Sequence, residues 1–411
     1  MQKKIVLVTS GQPSLNPRLV KEADALSNYG YDVTVVYLYW NDWGTKFDSD
    51  LLRSKNWKAV CVGGNPQTKK WLYWKSRVKH RLANLIASLA GFKYMLGEYS
   101  ISRGTAILIS KTKKIKADLY IAHNLGAIPA AVAAANYNKA KCGFDAEDLH
   151  RFEMSNDKTN YDVRLKAFLE EKYFTKTNYI TTSSQTIANQ YKIFFPHLKF
   201  KTILNTFPKQ LLSLPNSLDS PLKLFWFSQT IGISRGIQDI FRAIKILEEQ
   251  EIELHLLGKI NNQTKLDFDR LINSLKFDKR PKIFFHAPLP PHCLFAFANQ
   301  FHIGLCLEPA FSKNNDLALS NKMFTYIQAG LAIIASDTSG QKWLLENYPE
   351  MGSIYKRNNP NQLAILIQNY LSNPKLLKMH QAQALEYANH QLNWEQEEQK
   401  FIKIITDTIG E

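Results

Sequence analysis

The chain has 411 residues, 45% of them hydrophobic, with 18 Gly, 16 Pro and a formal charge of +16. That length is more than one ordinary core needs and predicts two domains, while the modest Gly and Pro content predicts compact globular structure without long linkers. The four cysteines (Cys61, Cys142, Cys293, Cys306) form no CxxC pair, which argues against a disulfide framework or a zinc site and fits a reducing cytoplasm.

The opening segment, MQKKIVLVTSG, has too short an apolar stretch for a signal peptide and reads as a first strand. No apolar run is long enough to cross a bilayer. A helix, NPRLVKEADALSNYG, then ends at Gly30, and YDVTVVYLY is the next strand. Asn16, Pro17 and Arg18 open that helix. Asn16 and Arg18 are candidates to meet an acceptor or donor phosphates, although capping is the simpler account of Asn16.

Charge is unevenly placed. Residues 1–205 hold 31 Lys+Arg against 16 Asp+Glu, a net of +15, and residues 206–411 hold 21 against 20, a net of +1. Between Leu51 and Gly97 there are ten Lys or Arg and no acidic residue. Within it Trp71, Trp74, Val78, Leu82, Leu85 and Leu89 follow helical spacing. Basic residues around such a face, from Trp71 to Arg81, suit an anionic membrane surface. A core-packing helix with a solvated charged face is an equal reading. Nucleic acid ranks last, because no binding motif accompanies the basic segment.

Strand and helix continue to alternate: ADLYIAH, the helical NLGAIPAAVAAANY, the strand KCGFDAE, a helix around Tyr161–Phe174, the strand NYITTS, a helix from Gln185 to Lys192, and KTILNTF. Turn residues in KQLLSLPNSLDSP break the pattern near Pro208–Pro221. A second alternation begins at LKLFWFS and continues through a helix from Ile237 to Gln250, IELHLLGK, a helix around Thr264–Leu275, KIFFHAP, a helix around His292–Gln300 and FHIGLCLEP. In LALSNKMFTYIQAGLAIIASD, Ser320 reads as an N-cap, Gly330 as a left-handed C-cap and Leu331–Ala335 as a buried strand. Lys322 sits in the first turn, where backbone N–H groups and a cation can hold a phosphate. Helices close the chain, the last beginning near Trp394. The expected fold is α/β: two Rossmann-like, doubly wound domains facing a cleft. The predicted spans are 1–207 for the first domain, 208–393 for the second and 394–411 for a helix returning to the first.

The segments ADLYIAHNLGAIPA, TTSSQTIANQYK, ILNTFP, WFSQTIGISRGIQDIFRAI and LALSNKMFTYIQAGLAIIASD, in this order along the chain, resemble those of GT-B-fold retaining glycosyltransferases of the family 4 type. The resemblance covers nearly the whole length. It implies transfer of a sugar from a UDP- or GDP-linked donor, with retention and without metal or cofactor, to a glycan or lipid-linked saccharide in cell-surface polysaccharide or glycolipid synthesis. The site would be cytoplasmic, on the inner membrane face. A non-catalytic sugar-nucleotide or glycan-binding protein and a nucleotide-sugar epimerase of the same fold are the alternatives.

Carried over by position, the resemblance makes Arg235 the cation that grips the diphosphate, in a loop with Gly232, Ser234 and Gly236. Gln229 stands where the family has a second cation, and Lys322 is a candidate to supply that charge. Thr325 stands where the family has a Glu for the ribose hydroxyls, and Leu317 where it has another; Glu308 is a candidate substitute. Ser320 and Asn321 join the donor side. Asn314-Asn315-Asp316 is a candidate to contact the donor sugar, and a plain polar loop is an equal reading. His286 and Pro288 fall where the nucleobase packs. His123, at a strand end, corresponds to a His close to the transferred sugar. Asp145, Glu147, Asp148 and His150 follow another strand and are candidates for the acceptor side.

Overall fold

The computed structural model describes residues 2–215 and 221–410. The expected interdomain stretch KQLLSLPNSLDSP therefore lies in part, at 216–220, outside the described residues. Two compact units emerge: residues 1–204 with 398–411, and residues 205–397.

The first unit runs β1 (Lys4–Thr9), α1 (Pro17–Asn28), β2 (Asp32–Leu38), α2 (Asp42–Arg53), β3 (Lys58–Val62), α3 (Lys70–Ala90), α4 (Leu96–Ile101), α5 (Thr105–Thr112), β4 (Leu119–His123), α6 (Ile128–Asn138), β5 (Lys141–Ala146), α7 (Tyr161–Tyr173), β6 (Tyr179–Thr182), α8 (Gln185–Phe194) and β7 (Phe200–Thr202). Its seven strands are parallel in the order β3-β2-β1-β4-β5-β6-β7. β4 is buried along its whole length, and β1 and β5 along all but their first residue, so these central strands are near-continuous apolar runs. At Gly143 in β5 an added Cβ would lie 2.2 Å from the Tyr179 ring, so the strand pair packs tightly only without a side chain there.

The second unit runs β8 (Leu222–Thr230), α9 (Ile237–Ile246), β9 (Ile252–Lys259), α10 (Asn262–Ser274), β10 (Lys282–His286), α11 (Leu294–Ala298), β11 (Ile303–Cys306), α12 (Lys313–Leu317), α13 (Asn321–Gln328), β12 (Ala332–Ser336), α14 (Ser339–Asn347), β13 (Gly352–Tyr355), α15 (Pro360–Ser372), α16 (Pro374–His390) and α17 (Trp394–Ile409), the residues of α17 from 398 onward belonging to the first unit. Its six strands are parallel, ordered β10-β9-β8-β11-β12-β13. Both sheets are thus doubly wound. Strand order reverses between β1 and β4 in one and between β8 and β11 in the other, and the crevice at the carboxyl ends of such a pair is where this class of sheet binds ligands.

Helix α3 departs from the core-packing reading. Only Ala83 and Ala87 of it are buried, and Trp71, Trp74, Val78, Leu82, Leu85 and Leu89 all face outward. Among the described residues no helix is long and apolar enough to cross a membrane. Gly330 closes α13 at φ +68, as its sequence position predicts.

Candidate functional site

In the second unit, β8 ends at Ser228–Thr230 and feeds the loop that leads to α9. Gly236 has φ +74, and a Cβ there would lie 2.0 Å from the Leu307 carbonyl oxygen. Glycine alone lets this loop press onto the end of β11. Arg235 precedes it and is half-buried; among the described residues its guanidinium makes no hydrogen bond or ion pair. Gln229 is exposed, and Gly232 is extended with open space where a side chain would project. The loop therefore offers one uncompensated cation among small residues.

Beyond β11 the chain supplies Glu308, and α13 is seated directly on the same strand. Gly304 lies under the Tyr326 ring, whose carbon a Cβ would approach to 2.2 Å, and the Tyr326 hydroxyl donates to the Leu305 carbonyl at 3.2 Å. Ser320 caps α13, its Oγ accepting from the Lys322 backbone N–H at 3.4 Å. Lys322 is buried, donates from Nζ to Glu308 Oε1 at 2.6 Å and lies 5.4 Å from the Trp226 ring centre. Burial alone would raise the Glu308 pKa, but Lys322 outweighs it and holds the carboxyl below its ordinary value. Lys322 thus stands in the first turn of α13 with its own counter-ion. Glu308 in turn also accepts from Asn315 Nδ2 at 3.4 Å, which leaves it a partner of Lys322 rather than a free replacement for a ribose-binding carboxylate. Asp316 accepts from the Ser339 N–H and hydroxyl, at 3.1 and 2.7 Å, so this stretch is tied down rather than a plain loop.

Thr325 is a correction. It is fully buried and its hydroxyl donates to the Asn321 carbonyl at 3.0 Å, one turn back, so it faces no ligand. Asn321 itself is exposed at the helix start. His286 ends the edge strand β10, stacks on His255 with ring centres 5.2 Å apart and meets the Phe297 ring edge-on. Burial lowers its pKa.

In the first unit the carboxyl ends of β1, β4 and β5 surround a cleft of about 310 Å³, lined by Ser10, Gln12, Asn16, Asn124, Glu147 and Asp148, with His150, Glu153 and Lys166 at one side. Asn124, at φ +70, donates to Thr9 Oγ1 at 3.0 Å and accepts from the Ser10 hydroxyl at 2.7 Å, which locks the β1 and β4 ends together. Asn16 lines the cleft and also caps α1, accepting from the Leu19 N–H at 3.0 Å. Burial, then the Asp148 and Asp145 carboxylates, push the Glu147 carboxyl up to about 7. His150 pairs with Glu153, and Lys166 reaches Glu153 at 2.8 Å.

Arg18 and His123 are the second correction. Arg18 is sealed beneath the cleft, donating from Nε and Nη2 to the two Asp145 oxygens at 2.7 and 2.9 Å and from Nη1 to the Ile203 carbonyl at 2.7 Å. His123 is equally buried, 3.1 Å from Glu22 and 3.4 Å from Asp145. Burial would lower its pKa, but Glu22 and Asp145 raise it to about 9, so the ring is a cation in a balanced buried cluster. Neither side chain is open to a substrate. Glu22, His123 and Asp145 are close enough to share a metal ion, but the Arg18 guanidinium already occupies Asp145 and sits 3.6 Å from Glu22, so this donor set does not fit one. Ser10, Gln12 and Asn124 were missed as cleft residues, though Ser10-Gly11-Gln12 directly follows the first strand. Lys166 and Glu153 carry no such local signal.

No protein-family model matches the sequence, and no curated protein matches it. Solved structures do. Sucrose-phosphate synthase from Thermosynechococcus elongatus superposes with a TM-score of 0.68 at 12% identity, covering 99% of both chains. HepE of Anabaena, solved with UDP and glucose, gives 0.68 at 12% identity over 99% of this chain and 100% of its own. A glycosyltransferase from Rickettsia africae gives 0.66 at 13% identity over the whole of both chains. These likenesses establish the fold, two Rossmann-like domains of the GT-B type, over the full chain.

Proposed function

We propose that the protein is a glycosyltransferase: the second unit holds a nucleotide-linked hexose, with UDP or GDP as the carrier, and the first unit holds a hydroxyl-bearing acceptor. The observation that carries the reading is Arg235, a cation without a counter-charge among the described residues, set in a Gly/Ser loop at the strand-order reversal of a doubly wound sheet. That is where a diphosphate gains most from a guanidinium's paired N–H donors. The structural likeness to HepE, which was solved with UDP and glucose, supports it.

In the reaction the bond between the sugar's anomeric carbon and the diphosphate oxygen breaks, and negative charge builds on the departing phosphate. Arg235 stabilises that charge as it forms, which lowers the barrier rather than merely tightening binding. The acceptor oxygen bonds to the anomeric carbon from the same face, and its proton passes to the leaving phosphate oxygen, giving retention without a protein base or a metal. Lys322, paired with Glu308, anchors the α13 start rather than adding a second free charge. On the acceptor side the carboxyls of Glu147 and Asp148 and the hydroxyl of Ser10 suit an uncharged, polyhydroxylated group, as in a growing surface glycan or lipid-linked saccharide.

The test is a panel of UDP- and GDP-sugars, read by thermal stabilisation and by release of nucleoside diphosphate. One donor should stabilise the protein and turn over, faster with acceptor present. Stabilisation without turnover for any donor would make this a binding protein instead.

A further inference from the structure

Among the described residues the apolar face of α3 is left exposed, and it is large. Exposure is 78% at Trp71, 53% at Leu82 and 85% at Leu89. With Leu96 and Tyr99 the face forms an apolar groove of about 580 Å³. On one flank lies a second pocket, of about 340 Å³, walled by Trp40, Arg77, His80, Arg81, Ile101 and Arg103. Arg77 donates to the Tyr73 hydroxyl at 3.0 Å, and its Nε is buried without a hydrogen-bond partner. Arg103 lies against the Tyr39 and Tyr73 rings and donates to the Tyr39 carbonyl. Among the described residues none of Lys70, Lys75, Arg77, Lys79, Arg81 and Arg103 forms an ion pair.

The geometry points to a membrane-docking surface, in which the α3 stripe enters the headgroup region of an anionic bilayer and a lipid phosphate seats among Arg77, Arg81 and Arg103. Three observations converge. Tryptophan beside leucine on an exposed helix face suits the interfacial zone of a bilayer. Cations flank that face, with no acidic residue from Leu51 to Gly97 to repel lipid phosphate. A preformed arginine pocket presents fork-shaped donors that match phosphate oxygens. A second copy of the chain is a poor occupant, because each first half carries a net +15.

Docking there also bears on the acceptor. Ile101 lines both the arginine pocket and the cleft at the ends of β1, β4 and β5. A bilayer engaged by the pocket therefore lies one side chain from that cleft, which selects a lipid-anchored saccharide as acceptor. This last step rests on the acceptor role proposed above; the docking itself does not.

Co-sedimentation of the full chain with vesicles tests it. The protein should bind vesicles containing phosphatidylglycerol at least about tenfold better than pure phosphatidylcholine, and lose that preference in high salt. Trp71→Glu with Leu82→Glu should cut binding by about tenfold or more, and Arg81→Glu by less, all three sites being exposed and the melting temperature unchanged. Binding by the variants equal to wild type, or displacement by inorganic phosphate at matched concentration, would overturn the proposal. So would a dimer in sedimentation velocity that Trp74→Glu dissolves. Thermal stabilisation by nucleotide in the same samples reads the donor site separately and should be the same in wild type and variants.

Discussion

Both units bring basic residues to the carboxyl ends of a doubly wound sheet, but they treat them oppositely. In the first, Arg18 and His123 are sealed under the strand ends with Asp145 and Glu22 as counter-ions. In the second, Arg235 stands at the strand end with none among the described residues. Lys322 falls between: it is in the first turn of α13 beside the end of β11, yet already paired with Glu308. Position on the fold therefore does not identify a ligand-binding cation. The state of its partners does, because a buried charge with its counter-ion in place has no electrostatic need that a ligand could meet.

The contrast can be broken most forcefully at Arg18. Arg18→Met should destabilise the protein by about 3–5 kcal/mol in a denaturant titration, because Asp145 and Glu22 lose their main counter-ion. A loss under about 1 kcal/mol would show that the cluster is not the scaffold its burial implies. Arg235→Ala should do the reverse, lowering turnover about 10²–10³-fold while stability moves by less than about 0.5 kcal/mol. Unchanged turnover would remove Arg235 from diphosphate stabilisation. His123→Gln sharpens the buried side through pH. The folded pKa of about 9 lies above the ordinary 6.5, so the contribution of His123 is complete below pH 6.5 and is lost as pH rises through 9. The stability gap between wild type and variant should shrink across that window, as read by melting temperature. Thr325→Val should cost about 1 kcal/mol through the lost bond to Asn321 and leave nucleotide affinity untouched in a calorimetric titration. Smallest of all, EDTA should change neither melting temperature nor turnover.

What could be read from the chain follows the range of the forces involved. The alternation of apolar runs and capped helices displayed both sheets, because strand burial and capping are local. Ser320 and Gly330 are where their chemistry requires them. The edge strand β3, with only Val62 buried, and α2, with only Gly44 and Asp48 buried, lack the buried apolar runs that mark the central strands. Arg18 misled because its partner Asp145 is 127 residues away, and no local pattern distinguishes a buried guanidinium from a ligand-binding one. Thr325 misled for a nearer reason: the position matched a family motif, while its hydroxyl was already engaged by the helix backbone. The α3 stripe had the spacing of a core-facing helix, and only the fold shows that it stays exposed.

The seating of Tyr326 on Gly304 has a consequence for how this protein can change over generations. The ring rests against bare backbone in mid-strand, and the same helix carries Ser320 and Lys322 to the strand end. Even alanine at 304 would have to lift α13 off its seat, so mutational scanning should find that position nearly closed to replacement. Gln229, on the neighbouring strand β8, is exposed and should accept almost any replacement.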